Sequence, residues 1–404
     1  MVTLPDVEAA RSLIRPHVIR TPLVHSPTLS AMAGAEVFLK LESMQKGGSF
    51  KIRGALAHVL SHPDRIGPAG IVAASAGNHA QGVALAARLA GVPATVVMPA
   101  WASISKQAAT RAYGAEVILH GASLEESLDR ARELAREGRM FVHAYDDPQV
   151  IAGQGTIGLE IREDLPSVDQ VIVPVGGGGL IAGIATALRG TNPGIRVTGV
   201  QAAACPSAVE ALRAGKPVTV DSLPTLADGI RVRRVGDLPY PVIRDMVDRV
   251  VLVDEDAIAD SMLLLLERKK VLAEGAGAAP MAAILSGSAG IVPGSRVVLV
   301  VSGGNLDIPL LERVIRRGLV RTGRMLHLTA TIEDIPGMLA RMLSLIGAAG
   351  GNILHIHHGR GDPGIGVTAV RLDLVIETRG PDHSRYILNE LRKGGYAVSE
   401  GGLA

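Results

Sequence analysis

The chain has 404 residues, a formal net charge of +2 and only 2% aromatic residues. This composition, with no basic block and with a single cysteine, Cys205, argues against nucleic-acid binding, an intrachain disulfide and a cysteine metal cluster. No apolar run reaches membrane-spanning length and the first residues lack a signal-peptide pattern, so we expect a cytoplasmic protein without a membrane partner.

Most of the chain alternates short β-branched runs with longer helical runs. The predicted strands are 36–41, 71–74, 94–98, 117–119, 171–175, 196–201 and 297–301. The predicted helices among them are 6–20, 80–90, 105–113, 124–137 and 180–188. Strands that alternate with helices in this way predict an α/β fold with mostly parallel sheets.

The pattern changes near residue 323, where apolar residues begin to alternate as on a half-buried strand. The elements predicted beyond this point are strands 326–332, 353–358, 367–376 and 396–399 and helices 339–346 and 384–393, with a loop at 359–364. Their order, β-α-β-β-α-β, is that of a ferredoxin-like module. The arginine-containing stretch 316–324 is predicted to be the linker.

One lysine, Lys51, lies between two glycines and a helix-prone run that begins at Ala55. Gly47 and Gly48 permit backbone geometry that other residues adopt only at a cost. Ser49 is a predicted N-cap, which would place the lysine in the first helical turn, where the helix dipole disfavours a cation. A neutral amine is what a Schiff base requires. Taken alone, the stretch is more typical of an ordinary surface lysine at a helix start.

Two turns of small residues each join a predicted strand to a predicted helix. At 75–82, backbone N–H groups at the start of a helix could receive a carboxylate or a phosphate, although small polar turns are also common without a ligand. At 176–179, four consecutive glycines are typical of a phosphate site. A dinucleotide site is the alternative, but residues 198–201 offer no acid to hold a ribose, so a single phosphate is favoured.

The stretch 301–305 follows the last strand of the series. Ligands of open α/β sheets bind beyond such strand ends. Its hydroxyl, on Ser302, could exchange a hydrogen bond with a ring nitrogen. By itself the stretch is equally typical of a tight turn.

In combination, these features resemble the pyridoxal-phosphate enzymes of the tryptophan-synthase-β type (fold type II). Within that group the chain is most similar to threonine/serine dehydratases and serine racemases, over about residues 5–320. The resemblance implies a large cofactor-binding domain at 1–45 and 147–320, a small catalytic domain at 46–146 and a regulatory module at 325–404. It also implies a homo-oligomer, a dimer or a tetramer.

The resemblance also assigns the site. Lys51 would be the catalytic residue and would bind pyridoxal phosphate (PLP) covalently. The other expected cofactor contacts are Phe50, Asn78 at the ring oxygen, Gly176, Gly177, Gly178, Gly179 and Leu180 at the phosphate, Ser302 at the ring nitrogen, and Gly229 and Glu274 in the cleft. The expected substrate contacts are Ser75, Ala76, Gly77, Asn78, His79 and Gln154.

The activity implied is that of an L-threonine ammonia-lyase, which eliminates the hydroxyl of L-threonine, and of L-serine, to give a 2-oxo acid and ammonia. One same-fold alternative is a lyase for another β-hydroxy amino acid, such as 3-hydroxyaspartate. A second is a serine racemase, although these carry a second serine where Ala76 stands. An alternative of another class is a non-catalytic amino-acid sensor, against which the presence of Lys51 argues.

The C-terminal module resembles an ACT domain, a small-molecule sensor found on amino-acid enzymes. The resemblance rests on 334–337 and 350–353 and implies allosteric control by an amino acid, as in isoleucine biosynthesis. The expected effector contacts are Asp334, Gly337 and Asn352. A purely oligomerising role is the alternative. No metal site is predicted, because His327, His355 and His357 lack a cysteine or clear acidic partner.

Overall fold

A computed structural model describes residues 1–360 and 365–401. The chain divides into two compact units, Met1–Asp307 and Ile308–Ala404. The first unit contains strands and helices in alternation, and the second has one antiparallel sheet. The predicted α/β class is therefore confirmed.

The first unit contains ten strands and twelve α-helices, all of them within the described residues. The strands are β1 Leu23–His25, β2 Glu36–Leu41, β3 Ile71–Ala74, β4 Ala94–Met98, β5 Glu116–Leu119, β6 Met140–Phe141, β7 Gln170–Pro174, β8 Arg196–Ala202, β9 Arg249–Val253 and β10 Arg296–Val301. The helices are α1 Leu4–Ile14, α2 Pro27–Ala33, α3 Lys51–Ser61, α4 Asn78–Ala90, α5 Ile104–Ala112, α6 Leu124–Arg136, α7 Pro148–Asp164, α8 Gly179–Thr191, α9 Ser207–Ala214, α10 Pro239–Met246, α11 Glu255–Leu264 and α12 Gly275–Leu285.

The strands of this unit form two separate sheets. The larger sheet has the order β1-β2-β10-β7-β8-β9, and the smaller has the order β5-β4-β3-β6. All neighbours are parallel except β1, which pairs antiparallel with β2. The chain therefore leaves the larger sheet after β2, builds the smaller sheet, and returns through helix α7.

The centre of the first unit is packed on both faces of its main sheet. Every residue of β7 is buried, which is usual for a parallel strand covered by helices on both sides. Helices α7 and α8 are in close contact at Gly183. A Cβ at this position would lie 2.2 Å from the carbonyl oxygen of Ile151, so only glycine fits there. Close helix packing of this kind holds the strand ends, and the turns that follow them, in fixed positions.

The second unit contains one antiparallel sheet and three helices within the described residues. Its elements are α13 Ile308–Arg321, β11 Met325–Glu333, α14 Met338–Ala348, β12 Asn352–Gly359, β13 Ala369–Glu377, α15 Pro381–Lys393 and β14 Ala397–Glu400. The sheet order is β12-β13-β11-β14. The predicted β-α-β-β-α-β order is confirmed, and residues 361–364 of the predicted loop 359–364 lie outside the described residues.

Two predicted segments differ from the structure. The stretch expected to be a linker is helical up to Arg321, because α13 extends from Ile308 to that residue. The first helix, predicted to reach residue 20, ends at Ile14. Pro16 explains the early end, since proline has no backbone N–H with which to continue the helical hydrogen bonds. Among the described residues, no helix has the length and apolar character needed to cross a membrane.

Candidate active site

Lys51 is the first residue of helix α3, and an extended segment precedes it. The residue at the N-cap position is Phe50, and it makes no side-chain cap, so the prediction of Ser49 as N-cap is wrong. Ser49 is instead extended and forms an isolated bridge with Gly303, beyond the end of β10. The backbone N–H of Phe50 donates to the carbonyl of Ser302 at 3.1 Å. The turn that carries the lysine is thus tied to the strand end that carries the serine.

The amine of Lys51 is held inside the site. Its Nζ donates to the carbonyl oxygen of Ala144 at 2.9 Å and lies 5.1 Å from the centre of the Phe50 ring. Burial lowers the pKa of this amine to about 8, and the nearby charge of Glu274 opposes the shift. Burial, rather than the predicted helix dipole, is the principal cause. An appreciable fraction of the amine is therefore neutral near neutral pH, as a nucleophilic lysine requires.

The turn after β3 presents backbone N–H groups at the start of helix α4. Gly77 is the N-cap, and a Cβ on it would meet nothing within 4 Å, so the turn faces open space. Ser75 Oγ accepts from the N–H of Gly77 at 3.1 Å, which closes the turn. The first N–H groups of a helix have no partner within it, so this turn can receive a carboxylate.

His79 contributes to this turn through its backbone rather than its ring. The ring is buried, and its Nε2 lies 3.0 Å from the carbonyl oxygen of Val142. Burial, with a contribution from the charge of Lys51, lowers the pKa of His79 to about 3. The ring is therefore neutral, and Nε2–H donates to Val142.

The side chain of Asn78 lies between two residues distant in the sequence. Its Nδ2 donates to Glu274 Oε1 at 2.7 Å, and its Oδ1 accepts from Asn305 Nδ2 at 2.9 Å. Burial, and then the charge of Asp228, raise the pKa of Glu274 to about 8. A Cβ on Gly229 would lie 3.5 Å from Glu274 Oε1, which places this glycine beside the carboxyl group. Asn78, Gly229 and Glu274, all predicted site residues, are therefore adjacent.

The four glycines form a turn between β7 and helix α8. Gly178 has a φ of 97° and caps the helix. A Cβ on Gly177 would lie 2.3 Å from the ring of Tyr145, so a larger residue does not fit there. Gly179 begins the helix, followed by the buried Leu180. The turn therefore places backbone N–H groups at a largely buried helix N-terminus, a geometry that binds phosphate.

Two further predicted site residues, Ser302 and Gln154, are buried. Ser302 directly follows β10 and is only 2% exposed. Gln154 is buried within helix α7, and a Cβ on Gly54 would lie 2.3 Å from its Nε2. Its Oε1 has no hydrogen-bond partner in the described part of the chain. The role of Gln154 in substrate binding stays a prediction.

Three residues that contact the candidate site residues were not predicted from the sequence. Asn305 contacts Asn78, the Ala144 carbonyl accepts from Lys51, and the Tyr145 ring lies against Gly177. Asn305 was within a stretch already selected for its position after a strand, so its polar side chain was a readable signal. The other two follow the short strand β6, which the sequence did not predict.

The amine and the backbone N–H groups of these residues are chemically suited to bind PLP. The site combines an amine with a pKa of about 8, a glycine turn that a Cβ would obstruct, and a second helix N-terminus facing open space. They match the cofactor's aldehyde, its phosphate and the carboxylate of an amino acid respectively. No group of three or more metal-ligating side chains occurs among the described residues.

The fold and the site define an enzyme of the PLP-dependent class. The family model described as "Pyridoxal-phosphate dependent enzyme" matches residues 14–303. The chain therefore belongs to this family, and its cofactor is PLP.

Individual relatives indicate which PLP-dependent enzymes the chain is similar to. The chain is 46% identical to an L-threonine ammonia-lyase of Thermotoga maritima over 402 residues, 98% of this chain and 99% of the relative. A threonine deaminase structure from the organism abbreviated "T.th." is 41% identical with a TM-score of 0.71, over 76% of this chain and 99% of that one. A maize serine racemase structure is 37% identical with a TM-score of 0.74, over 79% of this chain and 98% of that one.

Proposed function

We propose that this chain is an L-threonine ammonia-lyase that converts L-threonine to 2-oxobutanoate and ammonia and also accepts L-serine. The observation that carries this proposal is the 46% identity to an L-threonine ammonia-lyase over 98% of the chain. The site supports it, because Lys51 lies among groups suited to PLP and to an amino-acid carboxylate.

When bound, PLP withdraws electrons from the α-carbon of an amino acid and so makes the α-proton acidic. We propose that Lys51 binds the cofactor covalently when no substrate is present and removes the α-proton once the substrate amine has replaced it. A pKa of about 8 suits this exchange, because the amine can then both accept and release a proton near neutral pH.

The remaining residues would bind and orient. In this proposal the N–H groups of 75–79 bind the substrate carboxylate, and Ser302 meets the ring nitrogen. The phosphate is held by Gly176, Gly177, Gly178, Gly179 and Leu180. Phe50, Asn78, Gly229 and Glu274 surround the ring, and Gln154 contributes to the substrate side. The neutral hydroxyl of Ser302 would offer the ring nitrogen no counter-charge, which would suit elimination.

We also propose that residues 46–146 form the small domain and that 1–45 with 147–320 form the large one. The separate sheet made by β3 to β6 supports this division. A homo-oligomer, either a dimer or a tetramer, acting in the cytoplasm, completes the proposal. The buried, free thiol of Cys205 is compatible with a reducing compartment.

A serine racemase is the second candidate, favoured by the similarity to the maize structure. The test is steady-state kinetics on L-threonine, L-serine, D-serine and 3-hydroxyaspartate, with chiral analysis of the serine recovered. The proposal predicts that 2-oxo acid formation from L-threonine is among the fastest reactions and that recovered serine stays in the L form. Rapid D-serine formation would identify a racemase, a preference for 3-hydroxyaspartate would identify the related lyase, and no turnover of any substrate would favour the sensor.

For the second unit we propose an ACT-like regulatory module that binds an amino acid near Asp334, Gly337 and Asn352. Both side chains in this set already have partners: Asp334 forms an ion pair with Arg360 at 2.8 Å, and Asn352 donates to Glu377 at 3.0 Å. An effector carboxylate would therefore use the backbone N–H groups of the turn before helix α14.

The test of this module compares full-length enzyme with a variant that ends at Arg321, after helix α13. Excess isoleucine, valine, serine or threonine should shift the kinetics of the full-length enzyme and leave those of the shortened enzyme unchanged. If shortening instead yields inactive monomers, and no amino acid changes the full-length enzyme, the module serves assembly.

A further inference from the structure

Asn305 joins two turns that both belong to the candidate site. It lies three residues after Ser302, beyond the end of β10. Its Nδ2 donates to the carbonyl oxygen of Gly47 at 2.7 Å and to Asn78 Oδ1 at 2.9 Å. One side-chain amide thus binds the turn that leads into Lys51 and also the first side chain of helix α4.

The Gly47 carbonyl fixes the direction of the whole hydrogen-bond chain. A carbonyl oxygen can only accept, so the NH₂ end of Asn305 must face it. The same NH₂ end faces Asn78, which must present Oδ1 and therefore turns its own NH₂ end toward Glu274, 2.7 Å away. If Asn78 were flipped, its NH₂ end would face the NH₂ end of Asn305, and no hydrogen bond could form between them. The orientation of Asn78 therefore follows from a backbone oxygen through Asn305.

The backbone around Asn305 leaves room for this contact. Gly48 has a φ of 73°, and a Cβ on it would lie 2.3 Å from Asn305 Oδ1. The N–H of Gly304 donates to the carbonyl of Gly48 at 2.9 Å, so two successive residues after β10 bind this turn. The Lys51 turn and the strand end are therefore held in register at the point where Asn305 reaches Asn78.

We propose that Asn305 is a positioning residue that sets which end of the Asn78 amide faces the cofactor ring and holds the turn that carries Lys51. It acts through Asn78 and Gly47 and does not itself touch the ring. The inference rests on the proposed function only in requiring that PLP binds near Lys51 and Asn78.

The test uses Asn305→Asp, which keeps the size of the side chain and replaces both donated hydrogen bonds with an acceptor. Asn78 must then turn its NH₂ end toward position 305. Two quantities are measured without substrate: the dissociation constant of PLP and the visible spectrum of the bound cofactor as a function of pH. We expect PLP to bind at least about tenfold more weakly and the spectral titration to shift. The matched control is Asn192→Asp at the C-terminal end of helix α8, where the asparagine is half-buried and remote from the site residues in the sequence; this change should alter neither quantity.

A second pair of variants separates positioning from simple support of the fold. Asn305→Ala removes the donor without adding a charge and should also shift the spectral titration. In Asn305→Asp combined with Glu274→Gln, the new amide can donate to a flipped Asn78. Above about pH 8, where Glu274 is ionised and cannot donate, we expect that combination to recover thermal stability relative to Asn305→Asp, while its spectrum remains different from that of Glu274→Gln alone.

The outcomes are distinguishable from a failure of the proposed function. If the wild type binds PLP and both Asn305 variants keep its affinity and spectral titration, the inference is overturned and the proposed function is untouched. If Asn305→Asp combined with Glu274→Gln recovers its stability and also has the same cofactor spectrum as Glu274→Gln alone, Asn305 only supports the fold and the inference is again overturned. If the wild type binds no PLP, the proposed function itself fails, and the inference with it.

Discussion

Arg53 and Glu42 form a bidentate ion pair in which both side chains are completely removed from solvent. Arg53 Nε and Nη2 each donate to a different oxygen of Glu42, both at 2.8 Å. Arg53 also donates to Glu160, which accepts from the buried Lys40 at 2.6 Å. Two cations and two anions are thus enclosed together. Since Arg53 follows Lys51 in the first turn of helix α3, this network anchors the start of the lysine's helix.

Replacing Arg53 with methionine should destabilise the protein strongly. Arg53→Met leaves the carboxylate of Glu42 buried without its partner, a change that typically costs about 3–5 kcal/mol. Urea unfolding of the cofactor-free protein measures the loss. The control is Arg20→Met, which removes solvent-accessible ion pairs with Glu163 and Asp164 and should cost only about 1 kcal/mol. Equal costs for the two variants would show that the buried network does not stabilise the fold.

The buried parallel strands were the most predictable part of the fold. β3 and β4 have the predicted bounds, 71–74 and 94–98. Strands covered on both faces consist of nearly unbroken apolar residues, so burial itself leaves a mark in the sequence. Helix α12 was missed for a related reason. It is buried all round, so it shows no apolar stripe, and its glycines and Pro280 offset the high helix propensity of its alanines.

The candidate site was predictable only where a local motif follows a strand. Lys51, the four glycines and Ser302 each stand in such a turn, and sequence reasoning selected them on that basis. Contacts across the fold left no such signal: Asn305 and Asn78 are 227 positions apart, and Arg53 and Glu160 are 107 apart. The burial that lowers the pKa of Lys51 is likewise a property of the assembled fold.

The raised pKa of Glu274 predicts a pH dependence of stability. Its value rises from 4.5 to about 8 in the folded protein, chiefly through burial. Between these values the native state binds more protons than the unfolded state, so this group's contribution to stability falls as pH rises and levels off above about pH 8. Lys51, whose pKa falls from 10.5 to about 8, acts in the opposite direction, but its contribution changes mainly above about pH 8.

Comparing the cofactor-free wild type with Glu274→Gln isolates this contribution. Urea unfolding between pH 5 and 8 should show a steeper decline for the wild type, by at most about 1.4 kcal/mol per pH unit. His79, whose lowered pKa acts in the opposite direction below pH 6.5, is common to both proteins and cancels. Parallel curves for the two proteins would mean that Glu274 is not protonated in the native state.

The position of Ala76 should decide between elimination and racemisation. Ala76→Ser introduces the hydroxyl that serine racemases place there, on the opposite face of the substrate from Lys51. We expect a measurable gain in conversion of L-serine to D-serine with PLP still bound, detected by chiral analysis of serine recovered during turnover. Unchanged D-serine with a normal cofactor spectrum would remove Ala76 as the deciding position.

The residue at position 302 should control how long the carbanion lasts. Ser302→Asp places a carboxylate at the position where we propose that the hydroxyl meets the ring nitrogen, and it would therefore favour a protonated ring. Elimination should slow by about tenfold or more, while exchange of the substrate α-proton with solvent deuterium increases. Mass spectrometry of recovered L-threonine measures the exchange. If rate and exchange both stay at wild-type values, Ser302 does not contact the ring.

The central claim is that Lys51 carries the cofactor and moves the proton. Borohydride reduction of the holoenzyme, followed by peptide mapping, tests it most directly. We predict a reduced pyridoxyl group on Lys51 of the wild type. Lys51→Ala should show neither that group nor threonine turnover. The control is Lys46→Ala, which removes an exposed amine that donates to the His17 carbonyl and should keep both the modified Lys51 and the turnover. A pyridoxyl group on another lysine, or near-normal turnover by Lys51→Ala, would contradict the account.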